Sequence, residues 1–283
     1  MKRRILGFIR IIRPINGFMM SLAVLVGAWL TLSETPSPLL LQKILLGAVT
    51  AFTLSGASMT INDYCDYEID RINEPNRPLP SGAVKLEESL ILASMLIIIG
   101  LAAALFTSMW TALLALVSLV FSVTYAVRGK RTGLPGNFLV SFCVAVPFIY
   151  GGFIVTNGFD YKLLFFSLMA FLSNTGREIT KGIVDISGDK SHNMRTIAVV
   201  YGERFAALLA SIFFVASVLF SIAPPILGLV SVWFIPLVAI ADIGFIISSI
   251  ALIQKPTRQN AKRIKNLILL WMMIGMIAFL AGK

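Results

Sequence analysis

The chain has 283 residues, of which 57% are hydrophobic and only 13% charged, and its mean hydropathy is +0.87. A soluble domain carries about 25% charged residues, so a soluble fold is excluded and an all-α integral membrane protein is implied. The net charge of +10 would fit nucleic acid in a polar chain, but in one this apolar it reads as membrane topology, with no nucleic-acid partner implied.

Windows of roughly 18–25 apolar residues, enough to cross a bilayer, fall at 15–32, 39–61, 89–107, 110–127, 137–156, 162–180, 205–226, 229–253 and 264–281. They predict nine spans in a single domain, 1–283, with no low-complexity tract and no separate soluble part. The stretch before the first span, Met1 to Pro14, is basic, and no cleavable signal peptide is expected. Pro14 suits a first helical turn, and Asn16 either caps that helix or points into the bundle. The second window carries Gly47, Ala48, Ala51, Ser55, Gly56, Ala57 and Ser58, small residues that let membrane helices approach closely.

Directly after it comes N-D-Y-C-D-Y-E-I-D-R-I-N-E-P-N-R-P-L-P-S-G, Asn62 to Gly82. If this segment is helical to Asp70, then Asn62, Asp66 and Asp70 stand at i, i+4 and i+8 and share one face. Asp63 lies about 100° off that face, as either a direct metal ligand or a supporting acid. Like charges at such spacing repel, so cations must offset them. Carboxylate oxygens are what Mg²⁺ prefers, and Mg²⁺ typically joins one or two carboxylates to substrate phosphates. Three prolines and a glycine then predict an ordered loop holding Arg77. A planar guanidinium suits phosphate, although a basic residue beside a span also serves topology. Cys65 reads as a spacer in this motif.

The hairpin of windows three and four ends in Tyr125, Arg128, Lys130 and Arg131. This is either an ordinary interfacial cluster or a phosphate-facing one. In window five, Pro147 and Gly151-Gly152 permit a kink or close packing. After window six comes a second polar run, N-T-G-R-E-I-T-K-G-I-V-D-I-S-G-D, Asn174 to Asp189. Asp185 and Asp189 are again i and i+4, while Asn174, Glu178, Lys181 and Asp185 follow one stripe. Two acidic half-sites with basic neighbours, Arg177, Lys181, Lys190 and Arg195 among them, suit Mg²⁺ ions clamping a diphosphate. Window eight contains Asp242, an acid inside an apolar segment and so a functional candidate without an assigned role. The single His192 removes histidine-rich zinc sites and His–Asp–Ser schemes. Cys65 and Cys143 form no C-x-x-C, so neither a disulfide framework nor a thiolate metal site is indicated.

Charge placement orients the map. With the N-terminus inside and the spans alternating, 21 of the 24 basic residues fall inside, leaving Lys43, Lys162 and Lys283 outside. Eleven of the 14 acids fall in or beside the connections after windows two and six. Both acidic motifs are therefore expected on the cytoplasmic face of the cell membrane, where Mg²⁺ and phosphorylated substrates are plentiful.

The pattern N-D-x-x-D-x-x-x-D at Asn62, Asp63, Asp66 and Asp70, followed by R-P-L-P-S-G at Arg77 to Gly82, resembles the UbiA superfamily of intramembrane prenyltransferases. The D-I-S-G-D-K run with Asp185 and Asp189 resembles that superfamily's second motif. Two stretches, D-Y-E-I-D-R-I-N-E-P-N-R-P-L-P-S-G and R-E-I-T-K-G-I-V-D-I-S-G-D-K-S-H-N-M-R-T-I-A-V-V-Y-G, look most like the archaeal ether-lipid branch. The resemblance implies nine helices around a lipid-accessible cavity with a cytoplasmic cap. It implies Mg²⁺-dependent transfer of a geranylgeranyl group from its diphosphate to the free hydroxyl of geranylgeranylglyceryl phosphate. The partners implied are thus an isoprenyl diphosphate donor, a lipid-like acceptor and membrane lipids, with no protein partner. Two departures stand out. Gly182 occupies a position where many members carry an acid, and a Tyr-x-x-x-Lys pattern is off by one, with Gly129 before Lys130.

On this reading Asn62, Asp63, Asp66, Asp70, Asp185 and Asp189 are the metal-site candidates. Asp66, Asp70, Asp185, Asp189 and Tyr125 carry the catalytic role. Arg77, Arg128, Lys130, Arg177 and Lys181 neutralise the donor phosphates, and Lys190 and Arg195 are candidates for the acceptor phosphate. The rival expectations are a prenyltransferase with an aromatic acceptor, a divalent-cation transporter and a non-catalytic lipid-binding scaffold.

Overall fold

The computed structural model describes residues 2–283; Met1, at the start of the basic N-terminal stretch, lies outside the described residues. Helices account for every long element: α1 (Lys2–Ile11), α2 (Pro14–Thr31), α3 (Pro38–Cys65), α4 (Tyr67–Asn73), α5 (Leu86–Leu105), α6 (Met109–Val127), α7 (Leu134–Thr156), α8 (Lys162–Ser191), α9 (Ile197–Ser221), α10 (Ala223–Ile226), α11 (Phe234–Gln254) and α12 (Arg258–Ala281). Each of the nine apolar windows falls on helix, the seventh running from α9 into α10. Among the described residues, eight helical segments are long and apolar enough to cross a membrane. The sixth window is the exception: α8 is 30 residues long, but its second half carries Arg177, Glu178, Lys181, Asp185, Asp189 and Lys190. The chain is a multi-pass, all-helical membrane protein.

Packing divides the chain into two compact units: Met1–Arg128 with Val146–Phe159, and Gly129–Ala145 with Asp160–Lys283. In the first unit, α2, α3, α5, α6 and the C-terminal part of α7 share a core that includes Val24, Ala28, Ile44, Leu54, Ala104, Tyr150 and Ile154. Small residues decide how closely these helices approach. A Cβ on Gly27 would lie 1.9 Å from the Phe148 carbonyl oxygen, and one on Gly151 2.1 Å from that of Val24. Only hydrogen fits at either place, so the backbones of α2 and α7 touch there, as small residues allow in membranes. Gly151 therefore serves close packing rather than a kink.

The second unit is built on α8, α9, α11 and α12. Ile179, Ile183 and Val184 of α8 share one core with Ala207, Ala210 and Phe214 of α9, Ala241 and Phe245 of α11, and Ala261, Ile264 and Ile268 of α12. The α12 positions recur at i, i+3 and i+7, the spacing of one helical stripe. The guanidinium Nε of Arg258 donates to the Val184 carbonyl at 3.1 Å and pins the start of α12 to the charged half of α8.

Candidate active site

The first acidic motif straddles a helix break. The end of α3 supplies Asn62 and Asp63. Asp66 leaves helical geometry (φ −91°, ψ 5°) and separates α3 from α4, which supplies Asp70. The hydrogen-bond ladder nevertheless continues in register. The Asp66 amide donates to the Asn62 carbonyl at 2.9 Å, the Asp70 amide to Asp66 at 2.8 Å and the Glu74 amide to Asp70 at 2.9 Å. The three positions thus keep their i, i+4, i+8 relation without one continuous helix. Asn62, Asp63, Asp66 and Asp70 are all buried, whereas Glu68 is exposed and pairs with Arg71 at 3.1 Å.

Buried carboxylates need partners, and here they come from far along the chain. Arg77 Nη1 donates to Asp70 Oδ2 at 2.5 Å and approaches Asp63 Oδ1 at 3.5 Å. Arg13 Nη2 donates to the same Asp63 oxygen. Arg13 was missed by the sequence reading, because nothing local joins it to an acid 50 residues away. The one available signal was its position before Pro14, where the α region is disfavoured. The residue adopts φ 48°, ψ 70°, a left-handed conformation uncommon for a side chain without special reason. That turn between α1 and α2 aims the guanidinium at Asp63. On its other side, α1 packs Ile11 against Leu79 and Val84 of the Arg77 loop, and Arg3 donates to the Ser81 carbonyl at 3.2 Å. The N-terminal helix therefore braces the loop that presents Arg77.

The second motif lies on a single helix. Glu178 is buried and pairs with Arg177 at 2.8 Å and Lys181 at 3.6 Å. Lys130, in a short 3₁₀ turn (Gly129–Thr132), and Lys265 of α12 also act on it electrostatically. Asp189 is buried at the end of α8 and Asp185 is half-buried one turn earlier. Asn174, the first residue of the predicted stripe, serves packing: its Nδ2 donates to Ser141 Oγ at 3.1 Å. Thr175 meets the same hydroxyl at 2.9 Å. Tyr125 is buried at the end of α6, whereas Arg128, Lys190 and Arg195 are exposed. Asp242, without a nearby partner in sequence, accepts a 2.7 Å hydrogen bond from Ser221 Oγ at the end of α9. Cys65 and Cys143 are free thiols.

Mg²⁺ can be tested against these donors. Among the described residues, no three His, Cys, Asp or Glu side chains converge to cage an ion by themselves. Mg²⁺ is commonly held by one or two carboxylates and completed by substrate phosphate. Asn62 Nδ2 donates to Asp66 Oδ2 at 2.9 Å, and Asn62 Oδ1 is a buried acceptor with no hydrogen-bond partner among the described residues. Such an atom costs about 1–3 kcal/mol, and a hard cation beside Asp66 would satisfy it. The donors fit.

Comparison with known proteins places this chain in a family. Residues 20–276 match the UbiA prenyltransferase family. The chain is 32% identical over 276 residues to digeranylgeranylglyceryl phosphate synthase of Methanosphaera stadtmanae, covering 97% of this chain and 98% of that one. It is similar to a solved structure of digeranylgeranylglyceryl phosphate synthase in membranes, with a TM-score of 0.75 and 30% identity over 100% of this chain and 99% of the other. A UbiA homologue from Archaeoglobus fulgidus bound to GPP and Mg²⁺ shares the fold, with a TM-score of 0.63 and 15% identity over 96% and 99% of the two chains. Matched over residues 20–276 and 32% identical to a relative along nearly its whole length, the chain belongs to the UbiA prenyltransferase family.

Proposed function

We propose that this enzyme transfers a geranylgeranyl group from geranylgeranyl diphosphate to the free hydroxyl of geranylgeranylglyceryl phosphate, releasing diphosphate, in ether-lipid synthesis. The whole chain acts as one catalytic domain, with its N-terminus and both acidic motifs on the cytoplasmic side, a placement supported by the inward bias of basic residues. The full-length likeness to digeranylgeranylglyceryl phosphate synthases supports the donor and acceptor. The observation that carries the chemistry is the buried Asn62–Asp66 pair with its unpartnered Asn62 oxygen.

Asn62, Asp66 and Asp70 in the first motif, and Asp185 and Asp189 in the second, are assigned to Mg²⁺ and the donor diphosphate. Asp63, held by Arg13 and Arg77, is assigned to fixing those arginines. Bound Mg²⁺ supplies charge neutralisation that makes diphosphate a better leaving group. Arg77, Lys130, Arg177 and Lys181 add fixed positive charge where negative charge develops, and Tyr125 is assigned to the same donor. The carbon–oxygen bond to diphosphate breaks and the leaving group takes the electron pair. Apolar helix faces exclude water from the allylic cation. The acceptor hydroxyl oxygen then bonds to the terminal carbon and releases its proton.

The test supplies radiolabelled geranylgeranyl diphosphate to purified protein in lipid, with geranylgeranylglyceryl phosphate and 4-hydroxybenzoate offered together. A diether phosphate formed with Mg²⁺ and lost on chelation is the expected product. A prenylated aromatic acid would overturn the acceptor. Divalent-ion flux without diphosphate release would replace enzyme with transporter.

A further inference from the structure

Helix α1 presents two different faces. Gly7 and Ile11, one turn apart, face the Arg77 loop: Ile11 is buried with Leu79 and Val84, and a Cβ on Gly7 would lie 3.0 Å from Val84 Cγ2. Ile9 stands two residues from each, about 200° round the helix. It shares that opposite face with Ile5 and Leu6, its neighbours at i−4 and i−3. Ile5, Leu6 and Ile9 are 54%, 45% and 48% exposed. Arg10 flanks them, exposed and with no side-chain partner among the described residues. No acid precedes Glu34, whereas Lys2, Arg3, Arg4, Arg10 and Arg13 all come before Pro14. The left-handed Arg13 separates α1 from α2, the first membrane helix, whose opening turns expose Ile15 and Phe18.

Water does not suit the row of Ile5, Leu6 and Ile9, and hydrocarbon does not suit the arginines beside it. The membrane–water interface satisfies both, because apolar side chains enter the acyl boundary while cations meet headgroups. A stretch this basic, without an acid, matches an anionic surface. The same helix also holds the first acidic motif in three places. Arg3 donates to the Ser81 carbonyl at 3.2 Å, Ile11 packs on Leu79 and Val84, and the Arg13 that ends the helix pairs with Asp63. Arg77 is carried on the loop so held, and reaches Asp70 and Asp63 from it. We propose that α1 docks on anionic lipid headgroups and that this docking holds Arg77 in place for the donor diphosphate, so that the surrounding lipid sets donor affinity. The docking stands on the helix alone, and its effect on the donor rests on the functional reading above.

The test places full-length wild type, Arg10→Gln and Arg10→Lys in nanodiscs of phosphatidylcholine alone or of phosphatidylcholine with phosphatidylglycerol. Hydrogen exchange of the Arg3–Ile11 amides reads the docking, and KM for geranylgeranyl diphosphate reads its consequence. One arginine near an anionic surface is worth about fivefold in binding. Wild-type amides should therefore exchange about fivefold or more slowly in the anionic bilayer than in the neutral one. Arg10→Gln should lose about fivefold of that protection, and Arg10→Lys should keep it. In the anionic bilayer the donor KM of Arg10→Gln should exceed that of wild type about two- to fivefold, since a surface shifts the site by no more than its preference for the docked helix. In the neutral bilayer the two should agree, which also shows that the variant is folded. Repulsion between the anionic surface and the diphosphate acts on both proteins alike and cancels in their ratio. Equal wild-type exchange in the two bilayers overturns the inference, as does an Arg10→Gln that matches wild type in the anionic one. Protection lost with no change in donor KM overturns the link to Arg77. A KM ratio just as large in neutral lipid makes Arg10 a direct donor contact and overturns the inference too. A wild type that turns over no donor overturns the functional reading, and exchange alone then decides the docking.

Discussion

The two acidic motifs reach similar chemistry by different construction. In the second, one uninterrupted helix presents Arg177, Glu178, Lys181, Asp185 and Asp189, so cations and acids meet at sequence separations of one to three. In the first, the helix breaks at Asp66, and the compensating cations arrive from Arg13 and Arg77, 50 and 14 residues from Asp63. A continuous helix supplies its own neutralisation, because residues three and four apart are neighbours. A broken helix must import it, which ties the site to the N-terminal helix and the proline-rich loop.

The largest effects test whether the motifs are functionally equal. Asp66→Ala and Asp185→Ala should each lower turnover about a thousandfold or more, while size-exclusion elution in detergent matches wild type. Near-normal activity in either variant would remove that motif from the chemistry. The next effect should separate them. Asp63→Ala leaves Arg13 and Arg77 without their shared carboxylate and should lower stability by about 2–3 kcal/mol, after discounting for the partly exposed arginines. An unchanged thermal midpoint would show that Arg13 and Arg77 do not depend on Asp63. In the second unit, Ser141→Ala strands the amide of Asn174 and should cost about 1–2 kcal/mol by the same measurement. A larger loss than Asp63→Ala would reverse the contrast in long-range dependence. The smallest effect belongs to Glu68→Ala. Its exposed pair with Arg71 should contribute less than about 0.5 kcal/mol, and a larger fall would give this outer acid a place in the motif.

Much of this was legible because it is local. Apolar windows located nine helices, and the spacing of Asn62, Asp66 and Asp70 survived a break that the sequence did not reveal, since the hydrogen-bond ladder kept its register through Asp66. Two residues of the motifs have partners that local spacing did not reveal: Asn174 joins Ser141, and Asp63 joins Arg13. In each case the partner lies on another element, more than 30 residues away, where periodicity carries no information. The charges on α8 were visible, but they made its span less apolar than the eight that meet the length and hydropathy a crossing helix requires.

Composition and spacing alone thus established a helical membrane protein, its two acidic motifs and the bias of charge toward one side. These follow from the transfer of apolar side chains into lipid and from helical geometry, which act over a few residues. Only the tertiary structure chose which cation meets which acid. Arg13 reaches Asp63 through a left-handed turn, and Arg77 meets Asp70 and Asp63 from the loop that α1 braces. Electrostatic partners are selected by distance in space, and burial strengthens each selection by removing the water that would otherwise screen it.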